Sequence, residues 1–434
     1  MSRRIAVVGG GWAGISAAVA ATDAGYSVTL FEMAPRLGGR ARRVDHDDGL
    51  ALDNGQHILL GAYTETLSLM RRVGADPDVL LRRLTLRLVG PDGSGFRLPG
   101  GSPVPAFVRA VLGHAAWSAR DRLGLLVAAV RWKLKRFECQ EDTSVAELTH
   151  GLSDLVRTTL IEPLCIAALN TRADQASARV FLRVLRDALF SGPGSADMLL
   201  PRVPLSELLP DPASHWLIQK GAVLRMASRV TALTVRPDGC DVDGERFDAA
   251  VLACSANEAA RLVQPTAPSW AAEAAAFDYE PIITIYLKSH GSRLPEPMVA
   301  LASDGQAPAQ FAFDLGAIDG GGARDGVFAF VISGARAWVE RGLEATAAAT
   351  LEQARTAFDA CIWREPPWLL RTLAERRATF LCTPALVRPR LQIRANLVAA
   401  GDYVDGPYPA TLEGAVRAGA AAIAALAPLP ISGV

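Results

Sequence analysis

The chain has 434 residues, half of them hydrophobic, with 45 basic and 45 acidic side chains and a formal net charge of zero. That length leaves room for two or three domains with their own cores. Balanced charge argues against nucleic acid as the main partner, and the hydrophobic share implies a large apolar cavity or a membrane-facing surface. The six cysteines (139, 165, 240, 254, 361 and 382) show no C-x-x-C spacing. They are expected to be reduced thiols, not disulfides or a zinc site. Met1-Ser2-Arg3-Arg4 runs straight into an apolar stretch, leaving no room for a signal peptide, so a cytoplasmic location is expected. The uncharged run Ala418 to Val434 is broken by Pro428 and Pro430 and does not read as a membrane span.

Ile5-Ala6-Val7-Val8 reads as a compact buried strand. The chain then turns through Gly9, Gly11 and Gly14, a G-x-G-x-x-G that opens a small-residue helix over Ala13–Ala24. A second strand, Ser27 to Phe31, ends at Glu32. Gly9 permits the tight turn, Gly11 lets the backbone approach a pyrophosphate, and Gly14 lets the helix lie close on the sheet. The first turn, with Trp12 and Ala13, offers free N–H groups and a partial positive charge to phosphates. Glu32 is placed to accept hydrogen bonds from a ribose. The glycines alone would be weak evidence, but the strand, the helix and the acid all stand at the right distances.

Past Gly38-Gly39-Arg40 a short polar hairpin is expected, and Asp53-Asn54-Gly55-Gln56-His57 follows it. From Ile58 to about Leu200 the pattern is helical, interrupted by the Pro/Gly-rich passage Pro91 to Pro105. Within it, Arg109 to Phe137 carries seven basic residues against one acid, Asp121, a local charge of +6. The uncharged run Leu123–Val130 lies inside that segment, between Trp117 and Trp132. Two readings stay open: an interfacial helix among acyl chains and anionic headgroups, or a buried cap helix with basic, solvated ends. Ala176 to Asp187 has helical spacing, and Ser191 to Pro212 reads as a long connection. Strands are expected at Arg229–Val235 and Ala249–Cys254, then at Ile282–Leu287, Gln310–Phe313 and Val327–Val331. An Ala-rich helix over about Val339–Cys361 follows. The chain ends on a second strand–turn–helix unit: Asn396–Ala400, Gly401-Asp402, and a helix starting at Thr411-Leu412.

Gly38-Gly39-Arg40 resembles the G-G-R of FAD-binding oxidoreductases in the amine oxidase and phytoene desaturase superfamily, where the arginine reaches the flavin cofactor's phosphates. Asp53 to His57 is similar to that superfamily's D-x-G-x-H-like segment, whose backbone (here Gly55, Gln56 and His57) runs beside the isoalloxazine ring. By position Val230 would supply a backbone contact to the adenine. Gly401, Asp402, Thr411 and Leu412 resemble the closing flavin motif, whose aspartate binds the ribityl-phosphate region. The resemblance implies FAD, held non-covalently because no cysteine or histidine lies in an attachment motif. It implies an α/β fold: a discontinuous Rossmann-like FAD-binding domain (1–60, 214–265 and 390–434) and an α+β substrate domain (61–213 and 266–389). The substrate domain would carry an antiparallel sheet and a helical cap, with 104–137 as its membrane-facing candidate.

One branch is resembled more closely, the hydroxysqualene dehydroxylases, or squalene-associated FAD-dependent desaturases. The carriers are DNGQHILLGAYTETL (53–67), ALNT (168–171), ASARVFLRVLRDALF (176–190), DMLLPRVPLSELLPDPA (197–213) and PATLEGAVRAG (409–419). The branch resemblance implies reductive removal of the hydroxyl from hydroxysqualene, a polyprenoid lipid, to give squalene for hopanoid synthesis. An allylic cation would be quenched by hydride from flavin N5, so the protein must supply an acid, a dry apolar tunnel and a fixed ring. His57 and Asp53 are the acids nearest the ring by motif, and His57 is the candidate donor. Tyr403 departs from the tryptophan expected there. A flavin amine oxidase is the alternative, against which Thr411 stands at an aromatic cage position and Lys288 falls at its strand's end. A carotenoid-type desaturase and a non-catalytic, FAD-stabilised lipid carrier also stay open. No second dinucleotide fingerprint names the electron donor that reduces FAD.

Overall fold

The structure is a computed structural model that describes residues 2–46, 49–358 and 361–426. Residues 359–360 of the expected long helix lie outside the described residues, as do 427–434 with Pro428 and Pro430. Strand β1 (Arg4–Val8), helix α1 (Trp12–Asp23) and strand β2 (Ser27–Phe31) form the expected unit to within a residue or so. β1 pairs in parallel with β2 (Ile5 opposite Val28) and, on its other side, with the strand Ala249–Leu252. The latter pairs in parallel with Leu397–Ala399. Val223–Arg225 and Gln392–Arg394 complete a six-stranded sheet. Ile5 to Val8 are buried on both faces, as a parallel sheet covered by helices requires, so the strand is continuously apolar rather than alternating.

α1 packs against the C-terminal helix Leu412–Ala425 so closely that a Cβ on Gly419 would meet the Ala13 carbonyl oxygen at 2.3 Å. Ser16 Oγ donates across the same contact to the Val416 carbonyl at 2.7 Å. A second, five-stranded sheet is centred on Tyr279–Lys288, which lies antiparallel to Val327–Ile332 and to Trp368–Phe380. Its alternation sorts the side chains. Ile283, Ile285 and Leu287 join a core with Ala347 and Ala354 of the helix Leu343–Ala357, while Ile282, Thr284 and Tyr286 face the other way.

Helices Pro103–Gly113, Ala119–Leu134, Glu162–Leu169 and Ala178–Phe190 form the cap. Ser118 and Asp121 close a capping box that starts Ala119–Leu134. That helix is buried along one side and exposed along another. Leu125 and Trp132 are buried, whereas Leu123, Val127, Val130 and Leu134 form a stripe exposed by 63, 41, 57 and 78%. No helix among the described residues is long and apolar enough to cross a membrane. All six cysteines are free.

Four expectations about elements are corrected. Arg229–Val235 is not one strand. Backbone bonds from Ala227 to the Ala34 carbonyl and from Ser228 to the Glu32 carbonyl hold a loop against the end of β2, and a strand begins only at Leu233. Ile58–Leu200 is not wholly helical, because Leu81–Leu84, Arg87–Val89, Gly95–Arg97 and Met198–Pro201 are strands. Ser191–Pro212 therefore holds a buried strand, and helix Pro210–Gln219 starts within it. The helix expected over Val339–Cys361 is two helices, Arg336–Arg341 and Leu343–Ala357, split at Gly342, whose φ of +99° no right-handed helix accepts.

Candidate active site and cofactor cavity

A cavity of about 630 Å³ runs from the C-terminal ends of β1 and β2 to the antiparallel sheet and the Glu162–Leu169 helix. Every cofactor-binding candidate except Gly14 lines it: Gly9, Gly11, Trp12, Ala13, Glu32, Gly39, Arg40, Gly55, Gln56, His57, Val230, Gly401, Asp402, Thr411 and Leu412. Gly14 acts in packing. A Cβ there would stand 1.9 Å from the Gly9 carbonyl oxygen, so only glycine lets α1 start so near the turn. A Cβ on Gly11, by contrast, would meet nothing closer than Gly39 Cα at 3.9 Å. The backbone there is bare toward the cavity, as a phosphate cradle needs.

Glu32 is buried, and its two oxygens accept from Gly10 N at 2.6 Å and Ala34 N at 2.7 Å. Those bonds fix the carboxylate and leave further lone pairs for ribose hydroxyls. Trp12 Nε1 donates to the Ala41 carbonyl at 3.1 Å, pinning the loop that carries Gly39 and Arg40. Arg40 bonds Asp402 Oδ1 at 2.6 Å and the Ala378 carbonyl at 2.8 Å, so the early and late motifs meet in one ion pair. The Tyr403 hydroxyl is buried in the cavity wall without a hydrogen-bond partner among the described residues. A bare glycine turn, a fixed acid and an orphaned hydroxyl fit a dinucleotide that brings its own polar groups.

Farther in, Asn54 Nδ2 donates to Glu375 Oε2 at 3.0 Å and to the Arg40 carbonyl at 3.1 Å, steadying the Gly55-Gln56-His57 turn. His57 Nδ1 donates to the Gly55 carbonyl at 3.1 Å, which places its proton on Nδ1 and leaves Nε2 as the free nitrogen. Burial pushes the ring's pKa down; the Gly55 carbonyl opposes this, and the Arg40 charge adds to it. The resting ring is thus neutral, so the expected donor must first be loaded with a proton at Nε2. Beyond it the cavity is walled by Leu169, Ile282, Phe311, Phe313 and Leu373.

Asp53, the other expected acid, does not line the cavity. Its Oδ1 accepts from Leu205 N at 2.7 Å, Oδ2 lies 3.9 Å from Arg324 Nη1, and its carbonyl accepts from the Tyr286 hydroxyl at 2.9 Å. It holds segments together. Lys288 also stands away from the cavity, at the end of its strand. The sequence pattern gave no signal for Glu375, Arg377 and Leu373, which come from the Trp368–Phe380 strand, or for Thr284, whose hydroxyl is buried and unpartnered among the described residues.

A glycine-turn dinucleotide site opening on an apolar chamber defines an FAD-dependent oxidoreductase. The sequence model of the family "flavin containing amine oxidoreductase" matches residues 12–426, and the chain belongs to that family. Among its relatives, hydroxysqualene dehydroxylase of Rhodopseudomonas palustris is 29% identical over 96% of this chain and 97% of its own length. The protein of the same name from Sinorhizobium fredii is 27% identical over the same shares of each. An oxidoreductase from Methanosarcina mazei has the same fold, with a TM-score of 0.74 at 15% identity over 97% of this chain and 99% of that one.

Proposed function

We propose that the protein removes the hydroxyl of hydroxysqualene reductively, giving squalene. The observation that carries this reading is end-to-end similarity to the named dehydroxylases, combined with an apolar chamber that opens directly from the dinucleotide site. Bound FAD, once reduced, supplies the hydride. Gly11, Glu32, Arg40, Val230 and Asp402 hold the cofactor non-covalently. Leu169, Ile282, Phe311, Phe313 and Leu373 exclude water, so an allylic cation formed as the hydroxyl departs is not trapped by solvent. His57 delivers the proton from Nε2 once that nitrogen is loaded, while the Gly55 carbonyl fixes the ring's orientation.

The lipid reaches the chamber from a membrane surface. The exposed stripe Leu123, Val127, Val130 and Leu134 lies beside exposed Arg131, Lys133, Lys135 and Arg136, the pairing that an anionic bilayer surface favours. The test is anaerobic mixing of photoreduced protein with hydroxysqualene. Flavin should reoxidise as squalene forms, and deuterium carried by the reduced flavin should appear on the carbon that lost oxygen. Failure of hydroxysqualene to reoxidise the flavin, where a carotenoid precursor or an amine reduces it, would replace this reading with a desaturase or an amine oxidase.

A further inference from the structure

Thr284 sits in the middle of an apolar strand, flanked by Ile283 and Ile285 and paired across the sheet with Val331 and Leu373. It is 1% exposed, it lines the cavity, and its Oγ1 has no hydrogen-bond partner among the described residues. A buried threonine ordinarily satisfies its hydroxyl on nearby backbone, and leaving a donor unpaired is costly. Gln56 repeats the anomaly in the same cavity, with Oε1 buried and unpartnered among the described residues. A Cβ built on Gly55 would lie 3.8 Å from Thr284 Oγ1 and 3.8 Å from His57 Cε1, so hydroxyl and imidazole flank one patch of the Gly55 backbone. Ile282, Phe311, Phe313 and Leu373 of the same cavity offer that hydroxyl only hydrocarbon.

We infer that Thr284 and the Gln56 carboxamide form a hydroxyl-holding site that grips the oxygen lost in the reaction. The inference rests on the function proposed above and adds the groups that choose which carbon reacts. Thr284 donates its O–H to the substrate oxygen, and Gln56 Oε1 accepts the substrate O–H. As the C–O bond breaks, its electron pair leaves with oxygen, which takes a proton and departs as water. The carbon's valence would be closed by the hydride that reduced FAD supplies. The departing water has two O–H groups where the alcohol had one. Thr284 can turn its lone pair to the second, so the site holds the oxygen both as hydroxyl and as departing water.

The test uses FAD-loaded protein carrying Thr284→Val, which keeps shape and removes the hydroxyl, and Thr284→Ser, which restores it. A saturated C30 alcohol and its parent alkane, neither able to form an allylic cation, are titrated in mixed micelles, with flavin absorbance as the readout. The unmodified protein should bind the alcohol about tenfold better than the alkane, T284V should lose most of that preference, and T284S should regain it. Alkane binding should be the same in all three, which controls for folding. Equal affinities in the unmodified protein, or an undiminished preference in T284V, overturn the inference. With hydroxysqualene as oxidant, T284V should slow reoxidation about tenfold or more at saturating lipid. If hydroxysqualene fails to oxidise even the unmodified flavin while the alcohol preference still vanishes in T284V, the site stands and the proposed reaction falls.

Discussion

Glu413, in the first turn of the C-terminal helix, is fully buried and accepts four hydrogen bonds. Oε2 takes Thr66 N at 2.9 Å and Thr66 Oγ1 at 2.7 Å, and Oε1 takes Glu65 N at 3.1 Å and Arg417 Nε at 2.7 Å. It thereby caps helix α2 (Thr64–Arg72) from another element and anchors the turn in which Thr411 and Leu412 line the cavity. Glu413→Gln keeps the volume but replaces one acceptor oxygen with an NH2 group. The less damaging rotamer turns that group toward Glu65 N and Arg417. Arg417, at 32% side-chain exposure, can swing into water, whereas the Glu65 N–H is left facing another donor. Losing one buried bond to a charged acceptor, and weakening two more by loss of that charge, amounts to about 3 kcal/mol. Unfolding entropy of about 2.1 cal/mol/K per residue gives about 0.9 kcal/mol/K for 434 residues, so Tm should fall by about 3 °C. Arg417→Ala removes a partly exposed donor together with its bond to Thr64 Oγ1 at 2.9 Å and its contact with the Tyr408 ring, but leaves no buried donor unpaired, and should cost less than Glu413→Gln. Scanning calorimetry of FAD-loaded protein, with flavin fluorescence to time cofactor release, reads both. An E413Q protein melting within about 0.5 °C of the unmodified one would refute this account of the carboxylate.

Acid precipitation should carry the yellow colour into the supernatant. Burial pushes the cavity-lining Cys254 up to about 12, so it stays an unreactive thiol, and colour retained in the pellet would disprove non-covalent binding. Protein should bind anionic vesicles less as salt rises, since charges there are screened over about 10 Å at 0.1 M. Reversing Arg131, Lys133, Lys135 and Arg136 to Glu, or Leu123, Val130 and Leu134 to Ser, should abolish binding. Unchanged sedimentation with vesicles in both variants would dismiss the membrane face. His57→Ala should retain FAD yet slow flavin reoxidation by hydroxysqualene about 10²-fold or more. Because the ring's folded pKa lies below 6.5, its charged form thins out as pH rises, and the unmodified rate should drop about tenfold per unit at alkaline pH. A flat profile, or full activity in H57A, would remove this residue as donor. Burial pushes Asp53 up to about 7 from 3.8, and the Leu205 amide and Arg324 only partly counter it. The folded chain thus holds an extra proton between those values, stabilisation that is complete below 3.8 and lost as pH rises through about 7. Asp53→Asn should therefore gain stability relative to the unmodified chain between pH 4 and 8, and a Tm difference constant across that range would contradict the burial argument.

What could be read from residues alone divides along physical lines. β1, α1 and β2 were legible because three signals coincide there: an apolar run buried on both faces, a glycine motif in which a Cβ collides at Gly9 and Gly14 and leaves Gly11 open to the cavity, and an acid at the strand end. Trp368–Phe380, which brings Leu373, Glu375 and the Ala378 carbonyl to the cavity, was invisible. It is an edge strand whose LLRTLAERRATF pattern mixes charge into both faces, so neither period stands out. Val230 was assigned the cavity for a strand that does not exist; the loop that carries it is held by backbone bonds that no side-chain pattern encodes. The branched run Arg229–Val235 has strand propensity, but the turn at Ala227, with φ of +50°, separates it from the parallel sheet. Thr284 is a good strand former, so nothing in its identity tells whether its hydroxyl is satisfied. Only the packed neighbours reveal that it is not.

The parallel sheet joins residues 4–8 to 249–252 and 397–399, stretches far apart in the chain. On a ribosome adding about 5–20 residues per second, the first strand therefore waits about 20–80 s for its last partners. Throughout that interval an apolar strand and a bare glycine turn have no finished sheet to rest on. Chains released before residue 399 lack Asp402, the partner that ties down Arg40. Interrupted synthesis should therefore yield sticky, colourless fragments instead of weakly active enzyme, which makes chaperone supply and cofactor availability late in translation the points that govern yield.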